Sequence, residues 1–214
     1  MQQFIQRLRE VGVVAVIRAA SAEAAVDISR ALARGGVTGI EITFSTPGAA
    51  EAIAQVRKEL PGALVGAGTV LTDDQLSAAC LAGASFLVSP HTDVALLASA
   101  REHKVPFLAG ALTPTEVVRA FQAGATCVKL FPGSAVGPGY LKALRGPLPH
   151  IPLMPTGGVD ENNLGEWLAA GAVAVGMGGN LATGTPAEIE AAARRIRTRF
   201  GEVRAQLSGA ARPA

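Results

Sequence analysis

Short apolar, β-branched runs alternate with Ala-rich amphipathic stretches along the whole chain, one run per roughly 20–25 residues. The runs at 13–17, 39–43, 64–68, 86–89, 105–108, 127–131, 151–155 and 172–176 predict eight strands. A short apolar run alone does not separate a strand from a buried helix, so the stretches between them arbitrate. Helices are predicted at 21–34, 47–60, 72–81, 92–102, 114–122 and 161–169. Ser21, Thr72 and Thr113 stand where N-caps belong, each with acids in the following turn. Gly35, Gly83, Gly124 and Gly171 stand where left-handed helix ends belong. The segments ALARGGVTGIEI, CLAGASFLVSP, FQAGATCVKLFP and WLAAGAVAVGMGG repeat one form: small-residue helix, glycine, apolar strand. Eight such units predict a single-domain (β/α)8 TIM barrel over 1–214, with an N-terminal helix at 1–12, a C-terminal helix at 185–207 and a flexible tail at 208–214. An open doubly wound sheet would carry a glycine fingerprint after its first strand, and RAASAEAA has no glycine.

Composition sharpens this. Of 214 residues 49% are hydrophobic and only 17% charged, as a parallel sheet buried on both faces requires. The net charge of +2 gives no reason to expect a nucleic-acid partner. The basic run Arg194, Arg195, Arg197, Arg199 and Arg204 fits a solvated helix face. Cys80 and Cys127 lie in apolar segments without metal or disulfide spacing, as reduced core thiols do. The uncharged stretch 167–187 is long enough to raise the question of a membrane span, but its five glycines, proline and threonines fit a strand and a loop better. The start of the chain is amphipathic and not a signal peptide, so a soluble cytoplasmic protein is expected.

In such barrels chemistry gathers at the C-terminal ends of the strands. Lys129 stands in TCVKLFP, where lost solvation disfavours the ammonium form and favours the neutral nucleophile. A structural ion pair is the competing role for it. Glu41, in GIEITF, shares a strand face with Thr43, and is either a proton shuttle or the ion-pair partner of Lys129 or Arg18. Gly157–Gly158 and Gly178–Gly179 follow the seventh and eighth strands, where barrels commonly hold phosphate on backbone N–H groups. His91, His103 and His150 form no metal spacing. Tyr140 and Trp167 fall on helical segments, as packing residues.

The segments GIEITFSTPGA, VGAGTVL, VKLFPGSAVGP, MPTGGV and VGMGGNL, in this order between about Val13 and Ala182, resemble the 2-keto-3-deoxy-6-phosphogluconate and 4-hydroxy-2-oxoglutarate aldolases. The resemblance implies a class I aldolase that needs no metal or cofactor and assembles as a homotrimer. It implies that Lys129 forms a Schiff base with the C2 ketone, that Glu41 moves protons, and that Thr69 and Phe131 line the pyruvate pocket. Thr43, Ser45, Pro90 and Thr156 complete the expected substrate contacts, and Gly157, Gly158, Gly178, Gly179 and Asn180 the phosphate site. Products would be pyruvate and glyceraldehyde 3-phosphate. One departure is visible: relatives carry arginine where this chain has Ser45, and Arg18 is expected to supply the missing charge to the substrate carboxylate. The same segments resemble the phosphogalactonate aldolases, so the preferred sugar acid stays open. A non-covalent phosphate-binding barrel of the epimerase type is the remaining alternative.

Overall fold

From the second to the seventh, each strand pairs in parallel with the strand that precedes it in sequence, and the eighth pairs in parallel with the first. In the computed structural model, which describes residues 2–210, the strands are β1 (Val13–Ile17), β2 (Gly39–Thr43), β3 (Leu64–Gly68), β4 (Leu87–Val88), β5 (Phe107–Ala111), β6 (Cys127–Leu130), β7 (Leu153–Pro155) and β8 (Val175–Met177). Their order is β7-β6-β5-β4-β3-β2-β1-β8. The ring closes between β7 and β8 through a single parallel bridge, Thr156 to Gly176. The fold is therefore a (β/α)8 barrel with a thinly closed seam.

Alternation along the strands builds two separate cores. Val14, Leu64, Phe86, Val88, Leu108, Cys127, Met154 and Ala174 fill the interior. Helix α1 (Gln2–Val11) plugs the N-terminal end of the barrel, with Leu8 fully buried and Phe4 packed 5.8 Å from Phe86, ring to ring. The intervening residues, Ala15, Ile17, Ile40, Ile42, Val65 and Ala67 among them, face outward against the helices.

The outer ring is α2 (Ala22–Arg34), α3 (Ala49–Glu59), α4 (Asp73–Leu81), α5 (Val94–Glu102), α6 (Pro114–Gln122), α7 (Gly137–Arg145), α8 (Leu164–Ala169) and α9 (Pro186–Ala210). Ser21 and Thr72 accept from the N–H groups of Ala24 and Gln75, and Thr113 forms a reciprocal capping box with Glu116. Gly83, Gly124 and Gly171 take left-handed φ, whereas α2 uses Gly36 in place of the expected Gly35. Lys104 occupies the same left-handed position after α5.

The sequence-derived boundaries need several corrections. β5 starts two residues later than expected because the Val105 N–H still bonds back to Ala100 O of α5 and Pro106 has no N–H to donate, and it continues through Ala109–Ala111. β7 starts after Pro152, which has no N–H to donate. β8 begins three residues late, and β4 keeps only two residues. Helix α7 opens on Gly137-Pro138-Gly139, a loop-like signature that the proline at the first helical turn makes compatible with a helix. Helix α9 runs to Ala210, beyond the expected 207, while 211–214 of the expected tail lie outside the described residues. Cys80 is only half-buried, and Cys127 is wholly buried; burial pushes both thiols up. Among the described residues no helix is long and apolar enough to cross a membrane.

Candidate active site

The alternation that fills the lower interior with hydrocarbon delivers two charges to its upper half. On β2, Ile40 and Ile42 face the helices, which turns Glu41 and Thr43 inward; on β6, Val128 and Leu130 do the same for Lys129. Lys129 Nζ lies 3.7 Å from Glu41 Oε1, with the two residues 2% and 0% exposed. Among the described residues neither oxygen of Glu41 receives a hydrogen bond. A buried carboxylate with unmet bonding capacity beside one cation is poor structural design, and its oxygens are available to a polar ligand.

Glycines make the room. A methyl on Gly68 would collide with the Glu41 carboxyl, one on Gly176 with the Thr156 hydroxyl, and one on Gly110 with the Pro90 backbone. The absent side chains of β3, β5 and β8 are thus the space into which neighbouring strands project their functional groups.

Above this pair, the Phe131 ring lies 5.2 Å from the Lys129 amine and borders two clefts. The larger, about 530 Å³, follows the β7–β8 seam and takes in Arg18, Phe131, Thr156, Gly157, Gly178 and Gly179. Thr156 is 5% exposed and its hydroxyl has no partner among the described residues. Gly157, Gly158 and Gly179 have φ of 92°, 72° and 50°, left-handed turns of the kind whose N–H groups form anion-binding concavities. Arg18 is exposed, lies near Gly178, and makes no ion pair among the described residues. The side chain of Asn180 lies outside the described ones.

Other expected contacts are differently placed. Thr43 donates its hydroxyl to Ile17 O at 2.9 Å, and the Ser45 hydroxyl is 2.7 Å away, donating to it. Both hydroxyls therefore support the β1–β2 rim. Pro90 borders the second cleft, about 410 Å³, on the other side of Phe131 with His91 and Arg119. Thr69 follows Gly68 at φ 55°, a left-handed conformation costly for a β-branched residue, and lines neither cleft. Sequence reasoning missed Asp160, Glu161 and Arg195, which line the outer end of the seam cleft. Arg195 reaches it because α9 packs against α8 and the turn at Gly179–Leu181, a long-range event without local signal.

Similarity to known proteins agrees with this geometry. The KDPG and KHG aldolase family matches residues 4–194. The chain is 41% identical over 170 residues to the 2-dehydro-3-deoxy-phosphogluconate aldolase of Treponema pallidum, covering 79% of this chain and 81% of that one. A native KDPGal structure superposes with a TM-score of 0.85 at 29% identity, covering 90% of this chain and 96% of the other. The 2-keto-3-deoxy-6-phosphogluconate aldolase of Zymomonas mobilis ZM4, solved with 3-phosphoglycerate, gives 0.83 at 31% identity, covering 92% and 96%. With its barrel, its buried lysine–glutamate pair and its glycine-lined seam, the chain is an aldolase, a lyase, and belongs to the KDPG and KHG aldolase family.

Proposed function

We propose that this protein cleaves 2-keto-3-deoxy-6-phosphogluconate to pyruvate and glyceraldehyde 3-phosphate, with 4-hydroxy-2-oxoglutarate as a second substrate yielding pyruvate and glyoxylate. The observation that carries this reading is the lysine amine 3.7 Å from a carboxylate that accepts no hydrogen bond among the described residues, both buried below a cleft with a glycine-rich wall. The neutral Lys129 amine attacks the C2 ketone, and Glu41 relays the proton that lets the carbinolamine lose water to an iminium. Loss of the C4 hydroxyl proton then breaks the C3–C4 bond. Its electron pair moves into the iminium as an enamine, and the aldehyde leaves. Protonation of the enamine carbon and hydrolysis return pyruvate and free lysine. Phe131 and Thr69 wall the pyruvate end, with Pro90 on the flank. Thr156 offers its free hydroxyl to the sugar chain, and the two glycine pairs hold the phosphate on N–H groups.

Arg18 takes the substrate carboxylate, because the Ser45 hydroxyl is bound to Thr43 and carries no charge. This arrangement also supports a second reading, the phosphogalactonate epimer as preferred substrate, which direct comparison of the two sugar acids decides. A homotrimeric, cytoplasmic enzyme completes the proposal. Its test is trapping: incubation with pyruvate and borohydride, followed by peptide mapping, is expected to give a reduced adduct on Lys129. Absence of any adduct on that residue would overturn the covalent reading.

A further inference from the structure

The seam cleft continues outward past the glycines to α9, where Arg195 lines it beside Asp160 and Glu161. The charges there are unequally committed. One Asp160 carboxylate oxygen already accepts from the N–H groups of Asn162 and Asn163, at 2.8 and 3.0 Å. Arg195 spends only its Nε, on Glu161 at 3.3 Å, and among the described residues its terminal nitrogens make no hydrogen bond. That contact is long and its partners are exposed, 59% and 44%, so it holds the guanidinium weakly. Arg194 and Arg199, on the same helix, are paired with Glu190 and Glu202 and do not line the cleft.

The proposed substrate is anionic at both ends. Arg18, near Gly178, and Arg195, beside Asp160 and Glu161, line the same cleft, which therefore offers two cations to a doubly anionic substrate. The glycine pairs can supply only neutral N–H donors. A phosphate dianion seated on them leaves oxygens directed outward, which a guanidinium matches in charge and fork geometry.

We propose that Arg195 is a specificity-determining residue that exchanges its Glu161 partner for the phosphate of the bound substrate. Glu161 then acts as a placeholder, keeping the guanidinium at the cleft until the dianion displaces it. The inference rests on the proposed aldolase activity toward a phosphorylated acid.

Steady-state kinetics of the full chain, Arg195→Ala, Arg195→Lys and Glu161→Gln test it with 2-keto-3-deoxy-6-phosphogluconate and its unphosphorylated counterpart. Inorganic phosphate serves as an independent competitive probe. Arg195→Ala is expected to lower the phosphorylated-to-unphosphorylated ratio of kcat/KM about tenfold, chiefly through KM, and to weaken phosphate inhibition by a similar factor. Arg195→Lys should recover part of the loss, and Glu161→Gln should lower KM by about twofold through removal of a like charge. Raised salt should weaken phosphate inhibition more in the parent than in Arg195→Ala. An arginine that merely supports α9 would change both substrates alike, and an unchanged ratio with unchanged phosphate inhibition would overturn the proposal. Failure of the parent chain to form a pyruvate adduct would instead overturn the aldolase reading.

Discussion

The lower and upper halves of one barrel interior obey the same alternation and reach opposite physical ends. Below, Val14, Leu64, Phe86, Leu108 and Met154 interlock over Leu8 of α1, with no charge to accommodate. Above, the barrel offers Glu41, Lys129 and Thr156, and among the described residues all three side-chain oxygens of Glu41 and Thr156 go without a hydrogen bond. Glycine marks the border: Gly66 admits the Phe86 ring below, while Gly68 and Gly176 admit Glu41 and Thr156 above. The lower half stabilises the barrel by burial, and the upper half gives up some of that stability to hold reactive groups ready.

The strongest way to break the contrast is to make the upper half resemble the lower. Lys129→Met should abolish turnover, a loss of about four orders of magnitude or more, and destabilise the fold by about 3 kcal/mol because a buried carboxylate loses the cation beside it. Adding Glu41→Leu should leave the protein inactive but restore stability to at least the parental value, since hydrophobic replacement of a buried pair is neutral or favourable. Denaturant unfolding of the three proteins checks this. A double variant less stable than Lys129→Met would show that the pair is a structural strut.

A milder pair of substitutions sharpens the division. Phe86→Ala opens a cavity in the lower layer and should cost about 4 kcal/mol, with pyruvate trapping on Lys129 intact at 25 °C. Gly68→Ala drives a methyl into the Glu41 carboxyl; it should cost about 1–3 kcal/mol and lower kcat roughly ten- to a hundredfold by displacing that group. Should Phe86→Ala prove as damaging to kcat as Gly68→Ala, the two halves would not be functionally separate.

The upper half was the more legible in sequence, because charge stands out where apolar alternation predicts hydrocarbon. Glu41 between isoleucines and Lys129 between valine and leucine announce themselves, and β1 to β3 end where their turn residues are. Legibility fails where small residues carry the strand. Ala109–Ala111 lacks β-branching, and Gly110 belongs to β5 because it lies beside Lys129 and leaves room for the Pro90 backbone. Choosing Gly36 over Gly35 as the left-handed end of α2 likewise depends on packing, for a methyl on Gly35 would strike α9. The amphipathic pattern of α9 predicts which face is polar, but not that Arg195 on that face overlooks a cleft.

The smallest expected effect concerns the outer ring, where ion pairs behave unlike the buried one. Arg30 on α2 holds Glu59 at the end of α3 through two hydrogen bonds of 2.7 Å and also pairs with Asp27. The Arg30 guanidinium, followed by the Gln55 amide, keeps the Glu59 carboxyl at about 2, below its ordinary value of 4.5. The folded value lies below the unfolded one, so the stabilisation is fully present above pH 4.5 and is lost as the pH falls toward 2. Exposure and salt screening limit its size. Glu59→Gln should therefore lower Tm by only on the order of a degree at pH 7, and the difference should vanish near pH 2. Thermal melts across that range test it. A difference that persisted or grew below pH 3 would mean that Glu59 acts through packing of α3 on α2, and that even the outer ring draws its stability from burial.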